Sequence, residues 1–259
     1  MTRSLSVISS NIRYDEPDDN QHAWDNRRDF LVSLLLEYSP DILATQEGKL
    51  PQIRDLDDRL TGLICADSHR GWAGSLMYPC LFYNPASLTL SDSGDIWLSE
   101  SPSVEGSSSF GSTFPRLCTW ASFDEGVLVV NVHLDNSNSE TRLRQIQVLV
   151  EQLSAIKNQL GTTILMGDFN ESPDCPVRSF INEKWPDLMD PWLELGNAEE
   201  SSHHHFYEPI DYGSRVDWIL TGKDLEAQEI LLDKSTSEQG LFPSDHYILK
   251  SRYLWHRKK

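Results

Sequence analysis

VLVVNVHLD at residues 127–135 and TILMGDFN at residues 163–170 enclose a long stretch of helical periodicity, and reading them decides the fold class. Both open as β-branched, apolar runs, over 127–133 and 163–166, and both close on turn-forming residues, as strands do. Between them Leu143, Ile146, Val150, Leu153 and Ile156 recur at helical spacing over 140–160, with Gly161 placed to end the helix. Working outward, strand-like runs lie at residues 5–9, 42–45, 81–83, 118–123, 216–220 and 247–253. A second helix is expected over 24–38, where Phe30, Leu31, Leu34, Leu35 and Tyr38 share the spacing and Pro40 stops it. The Ser/Gly stretch 99–112 reads as a surface loop. No linker or repeat divides the chain. A single sheet of about eight or more twisted strands tends to curl or split in two. The expectation is one α/β domain over 1–259, with two packed sheets and helices outside.

Composition narrows the function classes. At 259 residues, a chain can bury roughly three-quarters of its unfolded surface, so it needs no disulfide or structural metal to fold. Lys and Arg number 22 against 40 Asp and Glu, a formal charge of −18. That excess argues against a scaffold gripping nucleic acid by phosphate neutralisation, but not against an enzyme that meets a phosphate through a metal. No apolar run approaches the roughly 18 to 20 residues that span a bilayer, and MTRSLSVISSNIRYDE lacks the apolar core of a signal peptide. Cys65, Cys80, Cys118 and Cys175 show no CxxC spacing and read as reduced, buried thiols. A cytoplasmic monomer with no membrane partner is expected.

Polar side chains stand where the apolar strands end. Asn11 follows the first, Glu47 the second, His133 and Asp135 close the run at 127, and Asp168 and Asn170 the run at 163. Asp217 opens VDWIL, and Asp245 with His246 precedes YILKSRYL. Singly, each has a plainer meaning: an Asp after a strand is usually a turn or cap residue, and a lone His more often satisfies the core. Jointly they suit a hard divalent cation such as Mg²⁺ or Mn²⁺, which takes oxygen ligands. Ser75 follows Gly74 but sits in no GxSxG elbow, and there is no Walker loop or dinucleotide fingerprint. Metal-assisted hydrolysis remains, with a phosphoester as the substrate that most rewards a bound cation.

The ordered set SSNI with Asn11, TQE with Glu47, NVHLD with His133 and Asp135, MGDFN with Asp168 and Asn170, RVDWI with Asp217, and PSDH with Asp245 and His246 resembles the endonuclease/exonuclease/phosphatase superfamily. The resemblance implies a four-layer α/β sandwich: two packed mixed β-sheets flanked by helices. It implies Mg²⁺ as cofactor, with Mn²⁺ able to substitute, and Glu47 as principal ligand with Asn11 and Asp245 near the same ion or a second one. His246, backed by Asp217, would take a proton from water that Asp168 helps hold. Asn170 and His133 would hydrogen-bond the phosphoryl oxygens, and Arg116 in FPRLCTW would clamp the phosphate. One departure stands out. Relatives carry a Glu ahead of the strand matching CLFYN that pairs with the first histidine, and here Met77 is nearest, leaving His133 to borrow Asp135 or go without.

His203, His204, His205 and Phe206 precede RVDWI, and His204 best fits a substrate-facing histidine of the relatives; a solvated loop and a metal site are the alternatives. Three consecutive imidazoles cannot all face one ion. Trp72, Trp97, Tyr207 and Tyr212 stand in loop-like segments where bases could stack, and the end at 256–259 is basic and reads as solvated. The first expectation is a Mg²⁺-dependent phosphodiesterase acting on nucleic acid or a nucleotide-like diester by in-line attack of water. A phosphomonoesterase for a small metabolite or inositol phosphate is the second, and a non-catalytic binding module the third.

Overall fold

A computed structural model describes residues 2–74, 76–207 and 213–256; Ser75, Tyr212 and the last three residues of the basic end lie outside the described residues. The strands are β1 (Thr2–Asn11), β2 (Ile42–Gly48), β3 (Ile64–Cys65), β4 (Tyr78–Tyr83), β5 (Leu90–Trp97), β6 (Leu117–Phe123), β7 (Val127–His133), β8 (Thr162–Asp168), β9 (Leu188–Met189), β10 (Asp217–Gly222), β11 (Leu225–Asp233) and β12 (Ile248–His256). The helices are α1 (Trp24–Tyr38), α2 (Leu50–Arg59), α3 (Ser139–Lys157), α4 (Pro176–Lys184) and α5 (Pro191–Glu194). The strands form two six-stranded sheets, ordered β11-β12-β1-β2-β4-β3 and β5-β6-β7-β8-β10-β9.

Burial explains the layering. Leu5, Val7, Ile42 and Ala44 of the first sheet pack against Val127, Val129, Ile164 and Met166 of the second, making the central core. On the outer face of the first sheet, Ile8, Leu43 and Phe82 cluster with Leu31 and Leu35 of α1 and Ile53 and Leu56 of α2. The second sheet does the same: Leu128, Val130 and Leu165 meet Ile146, Leu149 and Leu153 of α3 and Ile181 of α4. Every residue of β7 and of β8 is buried, as expected of strands covered on both faces. Helix, sheet, sheet, helix is the four-layer α/β sandwich. The stretch 99–112 is indeed irregular, and no helix of the described residues is long and apolar enough to cross a membrane.

The sheets are joined by a buried polar clasp. Gln46 Nε2 donates to Asn131 Oδ1 at 2.8 Å, and Asn131 Nδ2 donates to the carbonyls of Thr45 (2.9 Å) and Cys80 (2.8 Å). Left unpaired, such groups would each cost about 1–3 kcal/mol, so the clasp fixes how one sheet sits on the other.

Candidate active site

Strand register brings the polar strand ends together. β1 and β2 run parallel with Asn11 beside Gln46, β7 and β8 run parallel with His133 beside Asp168, and β10 runs antiparallel to β8 with Asp217 beside Asp168. The ends therefore share one rim of the sandwich, around a cavity of about 430 Å³ that Glu47, His133, Asp168, Asn170, Asp245 and His246 help line. Glu47 and Asn170 both hold left-handed backbone (φ 66° and 52°), which is uncommon without glycine and turns each chain sharply at its strand end.

Asn11 ties the two halves. Its Nδ2 donates to Glu47 Oε1 at 3.2 Å and to Asp168 Oδ2 at 3.0 Å, while its Oδ1 accepts from Arg13 N. Glu47 Oε2 accepts from Tyr14 N at 3.1 Å. Asp168 Oδ1 accepts from Asn170 N at 2.8 Å, and Asn170 Nδ2 donates to Leu134 O. Burial, then the nearby Asp217 charge, raises the Asp168 carboxyl to about 6.

His246 Nδ1 lies 2.8 Å from Asp217 Oδ2, and its Nε2 lies 3.8 Å from Asp168 Oδ2. Burial works against the imidazolium, but Asp217, then Asp168 and Asp245, outweigh it and raise His246 to about 10. His133 is the opposite case. Its Nδ1 accepts from Arg116 at 3.0 Å, and burial with that guanidinium beside it pushes His133 well below its ordinary range. A neutral ring whose Nδ1 accepts must carry its hydrogen on Nε2, which lies 3.6 Å from Asp168 Oδ2 and 3.9 Å from Glu47 Oε1.

Two residues whose place the sequence leaves open are located by the structure. Asp135 does not serve His133. β7 ends at His133, so the two-residue alternation that would put both on one face stops there. Asp135 instead accepts from Ser112 Oγ (2.9 Å), Ser137 N (2.9 Å) and Asn138 N (3.0 Å), closing the turn before α3. His204 is turned into the protein and lines neither the catalytic cavity nor the one beside it. It is 1% exposed, stacked on Tyr247 at 4.3 Å and against Phe242, and neither ring nitrogen finds a side-chain hydrogen-bond partner among the described residues. Its neighbour His203 lines the cavity, stacked on His246 at 4.1 Å, with Nε2 at 3.5 Å from Asp245 Oδ2.

Other cavity-lining residues escape a strand-end reading: Arg13, Tyr14 and Lys49 lie two or three positions past Asn11 and Glu47, and Phe114 two before Arg116. The signal available was their place in loops that leave a site-bearing strand end. Met77 lines the cavity too, with no carboxylate in its stead.

The side chains fit a divalent cation. Ligand atoms of Glu47, His133 and Asp168 lie within 4.8 Å of one another, as do those of His203, Asp245 and His246, and those of Asp168, Asp217 and His246. Glu47 and Asp245 thus fall in neighbouring groups on one cavity rather than in one tight cluster. Four carboxylates converge there, Asp217 Oδ1 is buried without a partner, and Asp168 resists ionisation, a local excess of negative charge that a cation offsets. With Nδ1 taken by Arg116 and Nε2 protonated, His133 is a donor rather than a ligand, which leaves oxygen donors foremost.

Known proteins share this arrangement of the chain. An endonuclease/exonuclease/phosphatase family protein of Bacteroides thetaiotaomicron, 24% identical, superposes with a TM-score of 0.86 over 98% of this chain and 99% of its own. A mannosyl-6-phosphatase of the same species, also 24% identical, superposes at 0.83 over 97% of this chain and all of its own. At that identity both speak for the fold. An uncharacterised protein of Acanthamoeba polyphaga mimivirus is 27% identical over 165 residues, 58% of this chain; the match spans 60% of that relative's length. The sequence profile of the Endonuclease/Exonuclease/phosphatase family matches residues 8–246, from within β1 to His246. On that extent, taking in every strand end that builds the cavity, the chain belongs to the endonuclease/exonuclease/phosphatase family.

Proposed function

We propose that this chain hydrolyses the phosphate monoester of a compact metabolite, with Mg²⁺ as cofactor and Mn²⁺ able to substitute. One observation carries the reading: Asp217 is hydrogen-bonded to His246, whose Nε2 lies 3.8 Å from Asp168, and this acid–base line faces Glu47 across a cavity sized for one small ligand. The mannosyl-6-phosphatase among the similar structures acts, by its name, on a sugar phosphate, so the fold admits a monoester. The four cysteines, all unbridged, fit the reducing cytoplasm.

Glu47, with Asn11 and Asp245 nearby, would hold the cation, which when bound polarises a phosphoryl oxygen and offsets the charge of the transition state. His246 Nε2 and Asp168 hold the attacking water between them. As the water oxygen bonds to phosphorus, one of its protons passes to His246 Nε2; the ester P–O bond breaks, and the ester oxygen leaves with the electron pair and takes a proton from solvent water. The carboxylates around His246 favour the imidazolium so formed, and a cation held by Glu47 and Asp245 would offset part of their charge and so leave Nε2 free to accept the proton. Asp217 fixes the tautomer from behind. His133 donates Nε2–H to a phosphoryl oxygen as charge builds, held in that form by Arg116, and Asn170 donates the amide hydrogen that Leu134 does not take. Arg116 thereby acts on the phosphate through His133.

A diester reading has one observation in its favour: Tyr14 and Phe114 both line the cavity, Phe114 being 45% exposed, and a base could stack there. Both readings meet one assay. With Mg²⁺, glucose 6-phosphate, nitrophenyl phosphate, bis-nitrophenyl phosphate and single-stranded DNA are compared, and Glu47→Ala is the control. The monoesters should show a kcat/KM at least tenfold above the diesters, lost with chelation and in Glu47→Ala. Faster turnover of the diesters would overturn the monoester reading.

A further inference from the structure

His246 needs more than Asp217 to serve as a base. The bond between its Nδ1 and Asp217 Oδ2, at 2.8 Å, runs along an edge of the ring. One such bond fixes a direction in the ring plane but leaves the ring free to tip about it, which would swing Nε2 away from Asp168. A second ring lying flat against one face prevents that. His203 supplies it: the two imidazoles stack with centroids 4.1 Å apart and planes 14° from parallel. His205 backs His203 in turn, ring to ring at 3.7 Å.

The backbone holds the stack in place. Asp217 opens β10 of the second sheet and His246 stands just before β12 of the first, so no shared element aligns the pair. Residues 202–204 bond to both sides. His204 N donates to Asp245 O and Tyr247 N to Ser202 O, each at 2.8 Å, framing the isolated bridge of His203 to His246. Ser202 Oγ accepts from Val216 N at 2.9 Å and from Asp217 N at 3.1 Å. His205 and Phe206, which line the cavity beside the catalytic one, both hold left-handed backbone (φ 53° and 61°). Such strain in two successive residues, neither of them glycine, persists only where the surroundings impose it. Here it accompanies the return of the His205 ring onto His203.

We propose that His203 is a positioning residue: the face of its ring fixes the plane of His246, so that Nε2 is aimed at the attacking water. The ring face matters rather than the nitrogens, since His203 Nε2 stands 3.5 Å from Asp245 Oδ2, long for a hydrogen bond. The inference deepens the proposed reaction and rests on His246 as its base, whichever ester is the substrate.

Three variants separate the face from the nitrogens. His203→Phe keeps a flat ring, His203→Leu keeps bulk without a face, and His203→Ala removes both. With Mg²⁺ and the ester that wild type turns over fastest, His203→Leu and His203→Ala should lower kcat about tenfold, the upper worth of a stacked ring pair. KM should stay within about twofold, because the contact orients the base and does not bind the ester. His203→Phe should recover kcat to within about threefold of wild type. Mg²⁺ affinity by calorimetry should be the same in all four proteins, and thermal unfolding reports that each is folded. A second readout needs no turnover. The low-field proton resonance of His246 Nδ1–H, which persists only while the bond to Asp217 holds, should be as sharp in His203→Phe as in wild type and broadened by solvent exchange in His203→Leu. A His203→Phe protein as slow as His203→Ala, or one with weakened Mg²⁺ binding, would assign the effect to the nitrogens and overturn the inference. So would a kcat and a resonance indifferent to the residue at 203. Absence of turnover in wild type, with the resonance still following the ring at 203, overturns the proposed function alone.

Discussion

His246 and His133 face the same cavity from opposite electrostatic settings, one backed by the Asp217 carboxylate and the other by the Arg116 guanidinium. A positioned general base contributes about 10²- to 10⁴-fold, whereas a neutral donor aimed at developing charge supplies one hydrogen bond. His246→Ala should therefore lower kcat about 10³-fold, and His133→Ala less, about 10²-fold. The comparison is made at saturating Mg²⁺; an equal or reversed ranking would show that His133 has found a carboxylate after all. His204 supports a stability prediction. Burial lowers it to about 4, outweighing nearby Asp245 and a backbone contact with Tyr207 that favour the proton. Its folded pKa lies below the unfolded value of about 6.5, so as pH falls from 6.5 toward 4 only the unfolded chain gains the proton and stability drops. At pH 4.5 the loss should be about 2–3 kcal/mol relative to pH 7. His204→Phe, which suits the ring contacts with Phe242 and Tyr247, should remove that part of the pH dependence in denaturant unfolding. An unchanged pH profile in the variant would assign the effect elsewhere.

Among the elements, β8 depends on one glycine. Gly167 has φ 133°, and a Cβ there would lie 2.1 Å from Val132 O and 2.8 Å from Val132 N, both backbone atoms of the parallel neighbour. The same pairing sets His133 beside Asp168. Gly167→Ala should cost about 3 kcal/mol or more, and part β7 from β8 at the cavity. Thermal unfolding together with Mg²⁺-dependent activity checks it; wild-type values for both would mean the strands can separate freely. The element scale also shows what could be read from sequence. The strands buried on both faces are plain because their apolar runs are unbroken, as in β7 and β8. β5, LSDSGDIW, is a sheet edge with mostly part-exposed residues, so no pattern announces it. β11 is the opposite edge case: Leu225, Ala227, Ile230 and Leu232 face inward, but a register shift between Ala227 and Glu229 breaks the alternation. α2 and α4 bury only three residues each, too few to make a periodic signal. Site residues at strand ends are legible for the same reason as the strands. Which of three adjacent histidines turns inward is not, because the isolated bridge of His203 to His246, a contact between distant segments, decides it.

Over the whole molecule the charge is −18, and the structure commits many of its cations. Arg70 is paired with Asp67 and Asp95, Arg142 with Glu171, and Arg178 and Arg215 with Asp190. Around the catalytic cavity there remain Arg13, Lys49 and Arg116, and the first and last are already engaged by Asp19 and His133. A protein that grips DNA along its backbone displaces condensed counterions, and log affinity falls against log salt by about 0.9 for each phosphate neutralised. Three partly committed cations can neutralise only a few phosphates. Duplex DNA offered to an Asp168→Ala protein should therefore bind weakly, with a slope between about −1 and −3 by that rule. Magnesium is held constant through the titration, since it screens and ligates phosphate itself. Turnover of a small monoester, which presents a single phosphoryl group, should depend on salt no more steeply than that. A DNA slope of about −6 or steeper would require an extended basic groove assembled from distant positions. It would also move the substrate from a compact ester to a polymer, because such a groove has no use for a ligand with one phosphate.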